Sequence, residues 1–288
     1  MGKLKAYFEL TKPRLTLLNL LVAMASFYLA APAAVDVGRM VIATLAIGLL
    51  AAGTLALNGY MERDTDLLMR RTAGRPVPSG RLSPREALTF GIITTVLAVA
   101  VITVFLGLVA SAIAVFTFAS YNLVYTPLKR RTTFHTTLGA LSGAMPPLLG
   151  WAAARGSLDA NAWLLAAILF LWQYPHFLAI DTMYRDDYSR AGIKVLPGAQ
   201  PNGARATGAL TIAALVLLLA ASTGPYFTGL AGVAYLVGCI VLGVGFLASG
   251  IAALVQRTPR SARMVLRASV TYLPIVFGLM VATVRPVT

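Results

Sequence analysis

The chain has 288 residues, 58% of them hydrophobic and only 12% charged, with a net charge of +14. A soluble domain carries about twice that charged fraction. A mean hydropathy of +0.78, with apolar runs near the roughly 20 residues that cross a bilayer core, therefore predicts an all-α integral membrane protein. The single cysteine, Cys239, sits inside an apolar run, which excludes a disulfide framework.

Nine apolar spans are predicted, near 15–33, 38–57, 86–106, 109–126, 134–153, 161–182, 207–224, 229–254 and 266–284. The opening "KLKAYFELTKPRLTLLNLLVAMASFYLAAPAA" has an Ala-x-Ala end like a signal peptide. Its apolar run exceeds the usual 7–15-residue core of such a peptide and holds a polar Asn19, so an uncleaved first span is expected. Alternating the spans across the bilayer puts 21 of the 24 Lys and Arg on one side. Only Arg39, Arg155 and Arg285 fall on the other. By the positive-inside rule the N-terminus is cytoplasmic and the C-terminus outside, and the basic charge is a topology signal rather than a nucleic-acid footprint. One transmembrane domain is expected over 1–288, without a soluble domain, in the cytoplasmic membrane.

The outer connections are short, which forces neighbouring helices into antiparallel pairs. Two cytoplasmic connections, 58–85 and 183–206, are long and carry most of the acid. Of ten Asp and Glu, six fall in two clusters: Glu62, Asp64 and Asp66, then Asp181, Asp186 and Asp187. If the second helix runs past its apolar stretch, Asn58, Glu62 and Asp66 fall at i, i+4 and i+8 on one face, and Asp64 points away. Stacked carboxylates near lipid repel unless they are paired or bound to a cation. Oxygen-only donors suit Mg²⁺ shared with phosphate oxygens, and the arginines that follow could grip the same phosphates. The competing account is a solvated loop whose acids pair with neighbouring arginines. The second cluster, at the mouth of another helix pair, favours a metal–diphosphate site facing a common cavity.

"LSGAMPPLLGW" places Pro146 and Pro147 inside the fifth span, where a double proline kinks the helix. "LFLWQYPHFLAID" puts Trp172, Gln173, Pro175 and His176 within the sixth. His176 reads either as a satisfied packing group or as a cavity-lining one. His135 opens the fifth helix and shares no metal-ligand spacing with His176. Trp151 and Trp163 bracket an outer loop and read as interfacial belt residues.

"NGYMERDTDLLMRRTAGRP" resembles the first acidic motif of the UbiA superfamily of intramembrane prenyltransferases. "YTPLKRRTTFHTTLGALSGAMPPLLGW" and "FLWQYPHFLAIDTMYRDDYSRAGIKVLP" are similar to the heme O synthases, or protoheme IX farnesyltransferases, of that superfamily, and "TKPRLTLLNLL" fits their opening. The resemblance implies a helical bundle around a central cavity. It also implies transfer of farnesyl from farnesyl diphosphate to a vinyl group of heme b, with heme A synthase acting downstream. On that basis Asn58, Glu62 and Asp66 hold Mg²⁺ and diphosphate, with Asp64, Asp181 and Asp187 as further candidate metal ligands. Asp187 is preferred in the second cluster because its "DY" matches the family. Arg71 and Arg75 would steady the phosphates. Lys129, Arg130 and Arg131 are candidates for diphosphate or heme propionates, Lys194 is a further substrate-binding candidate, and Trp172 and His176 would line the tetrapyrrole cavity.

The chain departs from that family at three positions. His135 stands where the family has Asn, Asp181 where it has a small residue, and Lys194 within "AGIKVLP" where "AGIPMLP" is commoner. This "GIK" is similar to aromatic-substrate members of the superfamily, so a quinone precursor or a lipid glycerol phosphate is the alternative acceptor. A secondary transporter is the distant alternative. Transport favours mid-span carboxylates, whereas these cluster at one face.

Overall fold

In hydrocarbon a backbone amide has no water to bond, so apolar runs of this length must satisfy their own hydrogen bonds. The chain does so with helices. The structure, a computed structural model, describes residues 2–31, 33, 35–199 and 202–284; Arg285 lies outside the described residues.

In chain order the helices are α1 (Gly2–Leu10), α2 (Pro13–Ala30), α3 (Val37–Met61), α4 (Arg63–Leu67) and α5 (Pro84–Val101), which runs on as a π segment over Ile102–Leu106. Then come α6 (Leu108–Phe118), a second π segment over Ala119–Tyr125, α7 (Thr126–Leu128), α8 (His135–Gly143), α9 (Met145–Arg155), α10 (Ala160–Met183) and α11 (Arg185–Arg190). The last are α12 (Leu196–Ala199), α13 (Gly203–Phe227), α14 (Val233–Gln256) and α15 (Pro259–Ala282). Eight of these helices or continuous helical runs are long and apolar enough to cross a membrane.

The predicted fifth span is instead two helices, α8 and α9, broken at Ala144. Pro146 and Pro147 therefore do not kink a helix interior. They sit in the first turn of α9, where a missing N–H removes no helical bond. Pro175 does lie inside a helix, α10. Helix starts are closed by side chains: Ser83 and Glu86 form a reciprocal capping box on α5, as do Thr258 and Ser261 on α15.

Helix α2 packs on α9, α3 on α5, and α10 against both α13 and α15, while α14 bridges α13 and α15. Some of these approaches require the absence of a side chain. A Cβ on Gly150 would lie 1.9 Å from the carbonyl oxygen of Ala23 in α2, and one on Gly91 would lie 2.5 Å from Leu57 Cγ in α3. At the end predicted to face outside, Arg39 ties three elements together. Its Nε donates to the Ala153 carbonyl at 2.5 Å and its Nη2 to the Leu106 carbonyl at 3.0 Å. Trp151 is not a belt residue, because it is 1% exposed within the core, whereas Trp163 is 57% exposed. Cys239 is buried.

The N-terminal helix α1 was not expected from apolar-span reading. It lays Ala6 and Leu10 on Ala56, Val77, Leu82 and Ala87. Lys3 pairs with Glu86 at 2.7 Å, and Glu9 with Arg81 at 2.6 Å. Leu4 and Phe8 remain exposed on its other side. The two long connections also meet: Met69 of the first packs with Ala191, Ile193 and Val195 of the second. Together they roof one end of the bundle.

Candidate active site

Under that roof lies a cavity of about 320 Å³, walled by α2, α3, the π segment before α7, α8 and α10. Two members of the Asn58–Glu62–Asp66 stack, Asn58 and Glu62, line its polar mouth, and the third, Asp66, lies in a neighbouring pocket that shares Lys12 and Arg75 with it. Helix α3 ends at Met61, yet the Glu62 N–H donates to the Asn58 carbonyl at 2.9 Å and the Asp66 N–H to the Glu62 carbonyl at 2.8 Å. Helical register thus survives the junction with α4, so the three side chains share the predicted face.

Each member of the stack meets a cation. Lys12 Nζ donates to Asn58 Oδ1 at 2.7 Å, and Asn58 Nδ2 donates to Thr126 Oγ1 at 3.1 Å. Lys129 Nζ donates to Glu62 Oε1 at 2.6 Å and lies 4.5 Å from the centre of the Tyr125 ring. Arg75 Nη1 reaches both Asp66 oxygens, at 2.9 and 2.7 Å, and the Asp66 side chain is fully buried. Burial alone would raise the Glu62 carboxyl. The charges of Lys129, Lys12 and Arg75 outweigh it and hold the group down to about 2. Burial pulls the Lys12 ammonium down to about 7, assisted by Arg75 and Lys129 and opposed by Glu62 and Asp66. Burial would lower Lys129 too, but Glu62 leads the groups that raise it well above its ordinary value.

Lys12 was counted in the sequence only as a topology charge. Its side chain enters the site because its backbone adopts the left-handed region at φ 47°, one residue before α2. That conformation costs a non-glycine residue free energy, and such strain recurs at functional sites. The π segment is a second feature the sequence did not reveal. One extra residue per turn there belongs to the stretch that carries Tyr121 and Tyr125, both on the cavity wall.

The second acidic cluster divides. Asp181 lines the cavity, is 6% exposed, and its Oδ2 has no hydrogen-bond partner. Asp187, preferred in the sequence, instead bonds Arg190 of its own short helix and is not among the cavity-lining residues. Asp64 is exposed and pairs at 3.5 Å with Arg63. Asp64, Arg130 and Arg131 line a separate groove that shares Glu62, Lys129 and Ile193 with the cavity. The Lys194 side chain is exposed and outside the cavity, although its carbonyl accepts from His135 Nε2 at 3.0 Å. Arg71 lines the cavity, donates to Tyr188 Oη at 3.3 Å and stacks over Tyr184 at 4.7 Å.

Deeper in, the wall becomes apolar and aromatic, with Leu169, Trp172, His176 and Phe177 from α10. A second, largely apolar pocket shares Asn19, Leu55, Tyr121 and Gly143 with the first. It runs on past Leu50 and Ala51 to Pro146 and Leu149. The arrangement therefore joins an oxygen-and-cation mouth to a dry slot, which suits a ligand with a charged head and an apolar body. Among the described residues no three acidic, histidine or cysteine side chains gather closely enough to cage a metal. A divalent cation still fits, because Mg²⁺ commonly shares one or two carboxylates with a substrate's phosphates, and Asp181 Oδ2 is a buried donor without a partner.

The UbiA prenyltransferase family matches residues 19–278. The protoheme IX farnesyltransferase of Solibacter usitatus is 44% identical over 286 residues, covering 96% of this chain and 98% of its own. That of Sorangium cellulosum is 45% identical over 247 residues, covering 85% and 88%. Among solved structures, a digeranylgeranylglyceryl phosphate synthase superposes with a TM-score of 0.82 at 18% identity, covering 98% of this chain and 99% of that one. A UbiA homolog from Archaeoglobus fulgidus bound to DMAPP and Mg²⁺ superposes at 0.66 and 14% identity, covering 96% and 99%. The chain belongs to the UbiA prenyltransferase family, alongside its protoheme IX farnesyltransferases, and is a prenyl-transferring membrane enzyme.

Proposed function

We propose that the enzyme transfers farnesyl from farnesyl diphosphate to a vinyl group of heme b, forming heme O. The observation that carries this reading is a cavity that grades from a mouth lined by Asn58, Glu62 and the four cations Lys12, Arg71, Arg75 and Lys129 to an aromatic wall. The names of the relatives support the acceptor, and the Mg²⁺ and prenyl diphosphates named with the Archaeoglobus fulgidus structures support the donor chemistry. In this reading α8 and α9 cross together as one broken span, giving nine crossings. The N-terminus and the site face the cytoplasm, the C-terminus lies outside, and the host bilayer is the cytoplasmic membrane.

The diphosphate is held at the mouth by Arg71, Arg75, Lys12 and Lys129. Glu62 and Asp181, which both line the cavity, would each offer a carboxylate to Mg²⁺, which when bound neutralises the departing diphosphate oxygens, while Asp66 holds Arg75 in place. The allylic C–O bond breaks and its electron pair leaves with diphosphate, into a field of fixed cations that need no reorganisation. The dry wall keeps water from the allylic cation. The vinyl π pair then forms the new C–C bond, and water captures the cation left beside the ring and loses a proton. Incubation with farnesyl diphosphate, Mg²⁺ and heme b should yield heme O on chromatography. Folded enzyme that returns only heme b would refute this acceptor.

Two outcomes follow from the cavity. Lys12 sits near neutrality in the free enzyme, and a bound diphosphate stabilises its charged form and raises it. At pH 8 diphosphate binding should therefore take up protons, seen in calorimetry as a heat that depends on the ionisation enthalpy of the buffer. Lys12→Met should abolish that dependence, and buffer-independent heats for the native enzyme would contradict it. The slot past Ala51 is assigned to the isoprenoid tail. Ala51→Phe should lower kcat/KM for farnesyl diphosphate about tenfold or more while leaving dimethylallyl diphosphate within about twofold, because a blocked apolar subsite is worth about 1–3 kcal/mol. Equal losses on both donors would place the tail elsewhere.

A further inference from the structure

Helix α15 contributes no residue to the cavity lining, yet one of its side chains fixes the aromatic wall. His176 Nδ1 lies 2.8 Å from Ser269 Oγ. The same Oγ donates to the Leu266 carbonyl at 2.7 Å. A serine hydroxyl has one hydrogen, and a carbonyl only accepts, so towards the imidazole Oγ acts as acceptor. Nδ1 therefore carries the ring hydrogen, and Nε2 keeps its lone pair. Nε2 has no partner among the described residues, although His176 lines the cavity.

The ring plane is fixed as well. Trp172 stacks on His176 with centroids 4.7 Å apart and an interplanar angle of 23°. Trp172 is itself held by Nε1–H donating to the Ser269 carbonyl at 2.8 Å. One fully buried serine thus orients both rings through its side chain and its backbone. His135 offers no equivalent. Its Nε2 must donate to the Lys194 carbonyl, and its Nδ1, without a partner, is sealed from the cavity.

We infer that His176 Nε2 is the axial ligand that seats the iron of the tetrapyrrole acceptor, and that Ser269 is the positioning residue that fixes the tautomer and plane of the ligand. Imidazoles that bind metals almost always have the other ring N–H engaged, which sets the tautomer and raises the donor strength of the bare nitrogen. His176 lines the same cavity as Asp181 and lies on the same helix, α10, so an acceptor held there shares its cavity with the polar mouth. The inference rests on heme b being the acceptor.

The test is optical and electron paramagnetic resonance titration of the purified enzyme with heme b, without farnesyl diphosphate. The native enzyme is expected to shift the Soret band and show histidine ligation. His176→Ala should lose that signature and regain it with added imidazole, and His176→Met should convert it to a thioether-ligated one. Ser269→Ala should weaken heme binding about tenfold to a hundredfold, the usual cost of removing a partner behind a ligand, and raise KM for heme more than it lowers kcat. A native spectrum retained by both His176 variants, or its loss in His135→Ala instead, overturns the assignment. If the native enzyme makes heme O while these variants keep its spectrum, the inference alone falls. If the native enzyme neither binds heme nor makes heme O, the acceptor reading falls with it.

Discussion

Glu62→Gln should leave a folded enzyme that turns over about 10²–10³-fold more slowly, the usual cost of losing one preorganised charge from a site of this kind. The amide can still accept from Lys129, so the contact at 2.6 Å survives in form. What disappears is the negative charge that holds Lys129 and, through it, the balance of cations at the cavity mouth. Asp66 behaves differently because it is fully buried against Arg75. Asp66→Ala strands the guanidinium and should cost about 3–5 kcal/mol of stability as well as activity. Asp66→Asn keeps the shape and one hydrogen bond, so it is the cleaner test of charge. Single-turnover assays on detergent-purified variants, with thermal unfolding in parallel, separate the two effects. Near-native turnover in folded Glu62→Gln would remove Glu62 from the site.

The largest structural effect should come from Gly150→Val. A Cβ there would meet the carbonyl oxygen of Ala23 at 1.9 Å, and backbone cannot move aside as a flexible side chain can. Helices α2 and α9 must then separate, opening the wall that carries Asn19 and Val22. The cost should exceed about 4 kcal/mol, in the rare range reserved for overpacking of this severity. The expected result is loss of monodisperse protein on extraction. Gly278→Ala on α15, where a Cβ meets nothing within 4 Å, should be neutral or gain up to about 1 kcal/mol from helix propensity. A Gly150→Val variant that melts like the native enzyme would contradict this packing.

The alignment of the candidate residues on α3 was legible because helical periodicity carries through the end of that helix. The i, i+4, i+8 spacing of Asn58, Glu62 and Asp66 holds since Glu62 and Asp66 keep their hydrogen bonds across the cap. Asp64 faces away for the same reason. Departures from periodicity were not legible. Lys12 enters through a left-handed backbone turn, and Tyr121 and Tyr125 lie in a π segment that an assumed spacing of 3.6 residues per turn misplaces. Pro146 and Pro147 looked like a kink because the break at Ala144 carries no distinctive residue. Asp187 looked stronger than Asp181 because motif matching weighs neighbours in sequence. Burial separates them, since Asp181 lies inside α10 under the roof while Asp187 is spent on Arg190. Ser269 gave no signal at all, because its role depends on α15 packing against α10 across the bundle.

In the proposed reaction one cavity brings a prenyl diphosphate to a tetrapyrrole rather than to an aromatic or lipid acceptor. Competition between the three acceptors separates these outcomes. Purified enzyme receives labelled farnesyl diphosphate and Mg²⁺ together with heme b, an aromatic quinone precursor and a glycerol-phosphate lipid in equal amounts. Label should appear in the heme fraction, as heme O. Label in the aromatic or lipid product, with heme b recovered unchanged, would contradict it.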